Sequence, residues 1–151
     1  MRIAAFDLGA KCGYAILDHD SNIISSGTWK LGKRSGKSIY LFHENLLWLF
    51  SCSVDVVGYE KVHGRHASKA AAHAYGGYEA VLWMTCYESC IDRLELVTVQ
   101  QIKQEATGSA RADKEDMEDA AFDRWGIIVS HDDEADALWC AEVTRRRVLN
   151  V

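Results

Sequence analysis

Two carboxylates in this sequence stand where an apolar, strand-like run ends: Asp7 after RIAAF and Glu60 after VDVVGY. A second pair, Asp133 and Asp136, is three residues apart in HDDEADALWCAEV, which puts both on one helical face in line with Cys140 and Val143. Open α/β sheets hold their ligands at the carboxyl ends of strands, so Asp7 and Glu60 lie where a site is expected. Burying bare carboxylates side by side costs several kcal/mol or more unless a cation or a proton compensates. Four hard oxygen donors without a cysteine or imidazole ligand set select Mg²⁺, with Mn²⁺ able to substitute, over zinc. His63 and His66 follow Glu60 closely, but no HExxH helix accompanies them. Two such ions about 4 Å apart can hold a phosphate between them, one activating water and the other stabilising the leaving oxygen.

Each acid also has a plainer reading. Asp132, Asp133 and Glu134 fall in a first helical turn, with Ser130 as N-cap candidate, where negative side chains meet the helix dipole favourably. That accounts for Asp132 and Glu134. Asp136 lies further in, on the inner stripe, and capping explains it poorly.

The elements that must position these acids follow from the hydrophobic pattern. Residues 2–8, 12–18 and 22–31 read as strands joined by short links, hence an antiparallel meander. Ile39, Phe42, Leu46 and Leu49 recur at helical spacing over 38–51. A short strand at 54–60 ends in Glu60. An alanine-rich helix follows over 67–90, with a bend expected at Gly76 and Gly77. A fifth strand at 94–99 leads into a short helix closed by Gly108; another helix, 113–125, ends at Gly126, and the last begins near Asp132. The expected fold is α/β of the ribonuclease H-like layout: a mixed five-stranded sheet, three antiparallel strands and then parallel crossovers, flanked by helices.

Length and composition bound the rest. The chain has 151 residues, 48% of them hydrophobic, enough for one domain spanning 1–151. No run approaches the roughly 20 apolar residues of a membrane helix, so a soluble intracellular protein with no membrane association is expected. Five cysteines without a CxxC pair argue against a zinc knuckle or a disulfide framework and read as small core residues. The net charge of −5 speaks against a nucleic-acid partner, but its distribution does not. Residues 21–43 hold no acid and four cations, Lys30, Lys33, Arg34 and Lys37; residues 61–78 hold no acid and Lys61, Arg65 and Lys69. Either tract alone reads as solvated loop charge.

The segments FDLGAKCGYAI, VGYEKV, VQQIKQEATGSARADKEDM and DEADALWCA, in this order over almost the whole chain, resemble the RuvC-type Holliday junction resolvases of the ribonuclease H-like nuclease superfamily. The resemblance implies that Asp7, Glu60, Asp133 and Asp136 are the metal-binding catalytic acids, with Asp7 bridging. It makes Lys103 and Lys114 candidate phosphate contacts, against the alternative that they are ordinary surface lysines. The family commonly carries an aromatic residue after the Glu strand; here His63 stands there, flanked by Arg65, and both join Lys33, Arg34 and Lys37 as candidate substrate contacts. The implied activity is Mg²⁺-dependent paired symmetric cutting of four-way DNA junctions by a homodimer, leaving 5′-phosphate and 3′-hydroxyl ends. The implied place is the cytoplasm of a bacterial cell, with the short chain resembling phage-encoded versions.

Three other functions are to be weighed against this one. An actin-like or sugar-kinase ATPase shares a DLGAKCGYA-type phosphate loop but needs a second lobe that 151 residues do not supply. A non-cleaving junction-binding module explains the basic tracts and leaves the four acids without a purpose. A nuclease for forks or flaps shares all the residues named.

Overall fold

The computed structural model describes residues 1–62 and 68–151, so His63, Arg65 and His66 lie outside the described residues. Strands β1 (Arg2–Asp7), β2 (Lys11–Asp18) and β3 (Ile23–Lys30) form the expected antiparallel meander. Strands β4 (Val56–Lys61) and β5 (Arg93–Thr98) add on in parallel, giving the order β3-β2-β1-β4-β5. Helices α1 (Gly36–Phe50) and α2 (Lys69–Glu88) pack on each other, and α3 (Val99–Thr107) and α4 (Lys114–Trp125) each pack on α5 (Asp132–Leu149), which crosses β2, β1 and β4.

Side-chain alternation along the strands feeds two cores, one on each face of the sheet. Ala4 and Phe6 of β1 and Val57 and Tyr59 of β4 join Phe42, Leu46, Tyr78 and Leu82 beneath α1 and α2. Ala5 of β1, Ala15 and Leu17 of β2 and Val97 of β5 join Leu138, Trp139 and Ala141 of α5. A central sheet covered on both faces explains why β1 reads as a continuous apolar run rather than an alternating one.

The ends of the helices follow their sequence signals. Ser35 and Ser38 form a capping box at the start of α1, Thr98 and Gln101 another at α3, and Asp113 and Asp116 a third at α4. Gly108 and Gly126 end α3 and α4 in the left-handed region, at φ of 75° and 69°. Three sequence readings change. Helix α2 runs unbroken through Gly76 and Gly77, because packing against α1 outweighs a helix cost of about 1 kcal/mol per glycine. Cys12, Cys86 and Cys140 are core residues as expected, whereas Cys90 is exposed at a positive φ of 56° just after α2. The N-cap of α5 is His131, with no side-chain cap bond. Ser130 instead donates its N–H and hydroxyl to Glu134 at 2.8 and 2.9 Å.

Candidate metal centre

Asp7 follows Ala5 by two along β1, and Glu60 follows Gly58 by two along β4, so both carboxylates face α5. The parallel β1–β4 register pairs Phe6 with Tyr59, which leaves Asp7 and Glu60 side by side at the carboxyl end of the sheet. Helix α5 brings the other two acids. Its first turn rests on β2 at Gly13, the residue paired with Asp7, where an added Cβ would overlap the Asp133 carbonyl. Further along, a Cβ at Gly58 of β4 would overlap the Thr144 hydroxyl. Two glycines, on the strands either side of β1, thus let α5 lie close to the sheet near its start and again towards its far end.

Glu134 fixes the same helix end from the other side. Its buried carboxylate accepts the Ser26 hydroxyl of β3 at 2.6 Å in addition to the two Ser130 bonds. Glu134 thus lies in the first turn of α5, where an acid meets the helix dipole, and also clamps α5 to β3.

One carboxylate oxygen from each of Asp7, Glu60 and Asp136 lies within 4.8 Å of the others. Asp133 stands outside that trio and shares a side-chain hydrogen bond with Asp7. Burial raises all four carboxyls above their ordinary range, and repulsion from neighbouring acids adds to it. Asp7 is pushed well up by burial and by Glu60, Asp136 and Asp133 in turn. Glu60 is pushed up to about 7 by burial and the nearby Asp136, with Lys103 opposing. Asp136 is pushed up to about 6 by burial and by Asp132 and Asp133, again opposed by Lys103. Asp133 rises with burial and the neighbouring Asp132, opposed by its bond to Asp7 and by Lys11. Like charges held this close require protons or a cation, and an all-oxygen donor set of this kind fits a hard divalent ion.

The predicted cations take different places. Lys103 Nζ donates to the Ala112 carbonyl at 2.6 Å, joining α3 to the segment before α4 while its charge acts on Glu60 and Asp136. Lys114 is ion-paired with Asp132 at the rim, and that hydrogen bond holds Asp132 below the usual carboxylate range. Lys33, Arg34 and Lys37 are exposed between β3 and the first turn of α1. Their loop is tied to the link between β1 and β2 by the Leu31 and Gly32 N–H groups, which donate to the Ala10 carbonyl at 2.8 and 3.2 Å. The basic tract therefore lies at the same end of the sheet as Asp7. Lys11, whose charge acts on Asp132 and Asp133, was not singled out from the sequence. Its place four residues after Asp7, at the start of the strand that pairs with β1, was the available signal.

No protein-family model matches the chain. A curated relative, crossover junction endodeoxyribonuclease RuvC of Caldicellulosiruptor saccharolyticus, is 31% identical and aligned over 91% of this chain and 88% of its own length. The fold is similar to that of Thermus thermophilus RuvC in complex with a Holliday junction substrate, at a TM-score of 0.81, 17% identity, and coverage of 95% of this chain and 92% of that one. It is also similar to the yeast mitochondrial Holliday junction resolvase Ydc2, at a TM-score of 0.60, 15% identity, and coverage of 95% and 77%. With a ribonuclease H-like sheet, acids gathered at its carboxyl end and a relative of this identity over nearly the full length, the chain belongs to the RuvC family of crossover junction endodeoxyribonucleases.

Proposed function

We propose that this chain is a structure-selective DNA endonuclease that resolves four-way junctions by paired symmetric phosphodiester hydrolysis, leaving 5′-phosphate and 3′-hydroxyl ends. The observation that carries the reading is the convergence of Asp7, Glu60 and Asp136 oxygens within 4.8 Å at the carboxyl end of β1 and β4. Asp7, Glu60 and Asp136, with Asp133 beside Asp7, would hold two Mg²⁺ ions, and Mn²⁺ would substitute. When bound, such ions supply Lewis-acid polarisation of the scissile phosphate and a water acidic enough to attack it.

The rest of the work falls to the chain itself. Lys33, Arg34 and Lys37 neutralise backbone phosphates on the approach from β3, and Lys114 does so at the rim once it exchanges Asp132 for DNA. Lys103 keeps its bond to Ala112 and moderates the repulsion between Glu60 and Asp136. His63 and Arg65 are assigned to the junction centre on the strength of the resemblance. Residues 1–151 act as one RuvC-like domain in the bacterial cytoplasm and pair as a homodimer, since a two-fold protein suits a two-fold junction. Tyr40 and Trp48 of α1 and Trp83 and Tyr87 of α2 are exposed aromatic side chains, available to the contact with a second copy.

The test is cleavage of a labelled four-way junction beside duplex, fork and flap DNA, with Mg²⁺ or EDTA. Wild type is expected to place paired nicks in the junction with Mg²⁺ alone. Asp7→Asn, nearly isosteric, is expected to lose cutting by at least about 10³-fold while still binding the junction. Equal cutting of forks and flaps would widen the substrate class, and cutting by Asp7→Asn would remove Asp7 from the centre.

A further inference from the structure

We propose that Tyr75 is a positioning residue for the candidate metal centre, holding the end of β4 so that the Glu60 carboxylate stays aimed at Asp7 and Asp136. The proposal rests on the nuclease reading above and adds to it a residue that lies outside the set of acids and lysines. Tyr75 belongs to α2, on the opposite face of the sheet from the acids, and its ring packs against the core beneath that helix. Its hydroxyl donates to the Glu60 carbonyl at 3.0 Å and accepts a hydrogen bond from the Val62 backbone.

In an extended strand the C=O of one residue and the N–H of the second residue after it face the same way, so one hydroxyl closes both groups. The β1–β4 ladder has ended by this point, its last pair being Phe6 and Tyr59. Tyr75 thus supplies one further rung where β1 no longer can, at the residue whose side chain must meet two other carboxylates. Without it, the backbone groups that fix the direction of Glu60 exchange with water, and the carboxylate samples directions away from Asp7 and Asp136.

The same hydroxyl lies 3.2 Å from Glu79 Oε2, one turn along α2. Glu79 also meets the Tyr59 hydroxyl, which in turn accepts the Trp83 indole N–H at 2.8 Å. Glu79 therefore competes with the Glu60 carbonyl for the single Tyr75 proton. This competition separates the functional bond from the neighbouring one in an experiment.

The experiment measures Mn²⁺ binding to the full chain without DNA, by the electron paramagnetic resonance signal of free Mn²⁺. It is paired with single-turnover cleavage of a four-way junction over a range of Mg²⁺ concentrations and with junction binding in Ca²⁺. Tyr75→Phe keeps the ring and removes the hydroxyl; Mn²⁺ affinity is expected to weaken about tenfold and the cleavage rate to recover as Mg²⁺ is raised, with junction binding unchanged. Wild-type Mn²⁺ affinity and an unchanged Mg²⁺ dependence in Tyr75→Phe would overturn the proposal. Glu79→Gln replaces the charged competing acceptor by a weaker neutral one, which favours the bond to the Glu60 carbonyl, so Mn²⁺ affinity is expected to stay within about threefold of wild type. A tenfold loss in Glu79→Gln would overturn the proposal even if Tyr75→Phe did not fold. Wild type and Asp7→Asn are run alongside: equal Mn²⁺ binding by these two would refute the metal centre itself, and the role of Tyr75 with it.

Discussion

Asp7 is a carboxylate held among three others, and without a metal its protonation relieves their repulsion. This gives the metal-free protein an unusual dependence on pH. A carboxyl whose folded pKa lies above its unfolded value binds protons more tightly when folded, so stability falls as pH rises from the unfolded value through the folded one. For Glu60, raised from 4.5 to about 7, and Asp136, raised from 3.8 to about 6, that window runs from about pH 4 to about 7.

Glu142 works in the opposite sense. Burial pushes its carboxyl up, but bonds from Arg145, Ser21 and Arg146 bring it down to about 2, so its contribution is present above pH 4.5 and lost as pH falls toward 2. Above about pH 4.5 the Glu142 contribution is constant, so among these three groups the raised acids alone make stability fall as pH rises. Thermal melts in EDTA at pH 5 and pH 8 are expected to show the melting temperature falling by about 5 °C, with Mg²⁺ removing most of the difference and Asp7→Asn removing only the share that Asp7 itself contributes. A rise in melting temperature over the same interval in EDTA would show that the acids do not repel one another in the folded chain.

At the scale of elements, the seating of α5 decides whether the acids meet. Gly13→Ala forces the added methyl into the Asp133 backbone, and Gly58→Ala forces it into the Thr144 side chain. Each is expected to cost about 1–3 kcal/mol of stability, read as a shift in the urea midpoint. Their effects on cutting should differ. Gly13 lies directly beneath Asp133, so Gly13→Ala is expected to lower the single-turnover rate by more than tenfold at temperatures where the protein remains folded. Gly58→Ala meets a threonine side chain about three turns further along the helix and is expected to leave the rate within about threefold. Equal rate losses would mean that the helix shifts as a rigid rod.

The element order was legible in the sequence because strand runs, helical stripes and glycine stops each speak through local chemistry. Asp7, Glu60 and Asp136 were legible as strand-end and inner-face acids. The close approaches at Gly13 and Gly58, the Glu134 clamp to Ser26 and the Tyr75 bond to Glu60 were not, because each depends on a partner 15 to 120 residues away that no periodicity reveals. Lys103 came forward only through the resemblance, as a candidate phosphate contact, and its bond to Ala112 was not legible.

For the whole molecule, the issue is how a chain of net charge −5 receives a polyanion. The exposed tract after β3 lies at the acid-bearing end of the sheet and gives the approach a local positive character. Replacing Lys33, Arg34 and Lys37 with alanine is expected to weaken junction binding and to reduce the slope of log affinity against log salt by about 2 to 3, roughly one for each phosphate no longer neutralised. An unchanged slope would take the loop out of the interface.

The order of the elements along the chain also sets when this chemistry can begin. Asp7 lies in the first strand and Asp133 and Asp136 in the last helix, with every other element between them. A chain still being synthesised can form the meander and much of the sheet while α5 remains in the ribosome, and in that state it holds at most two of the four acids. A product truncated before α5 keeps Asp7 and Glu60 but lacks Asp133 and Asp136, and is therefore expected to lack the candidate metal centre.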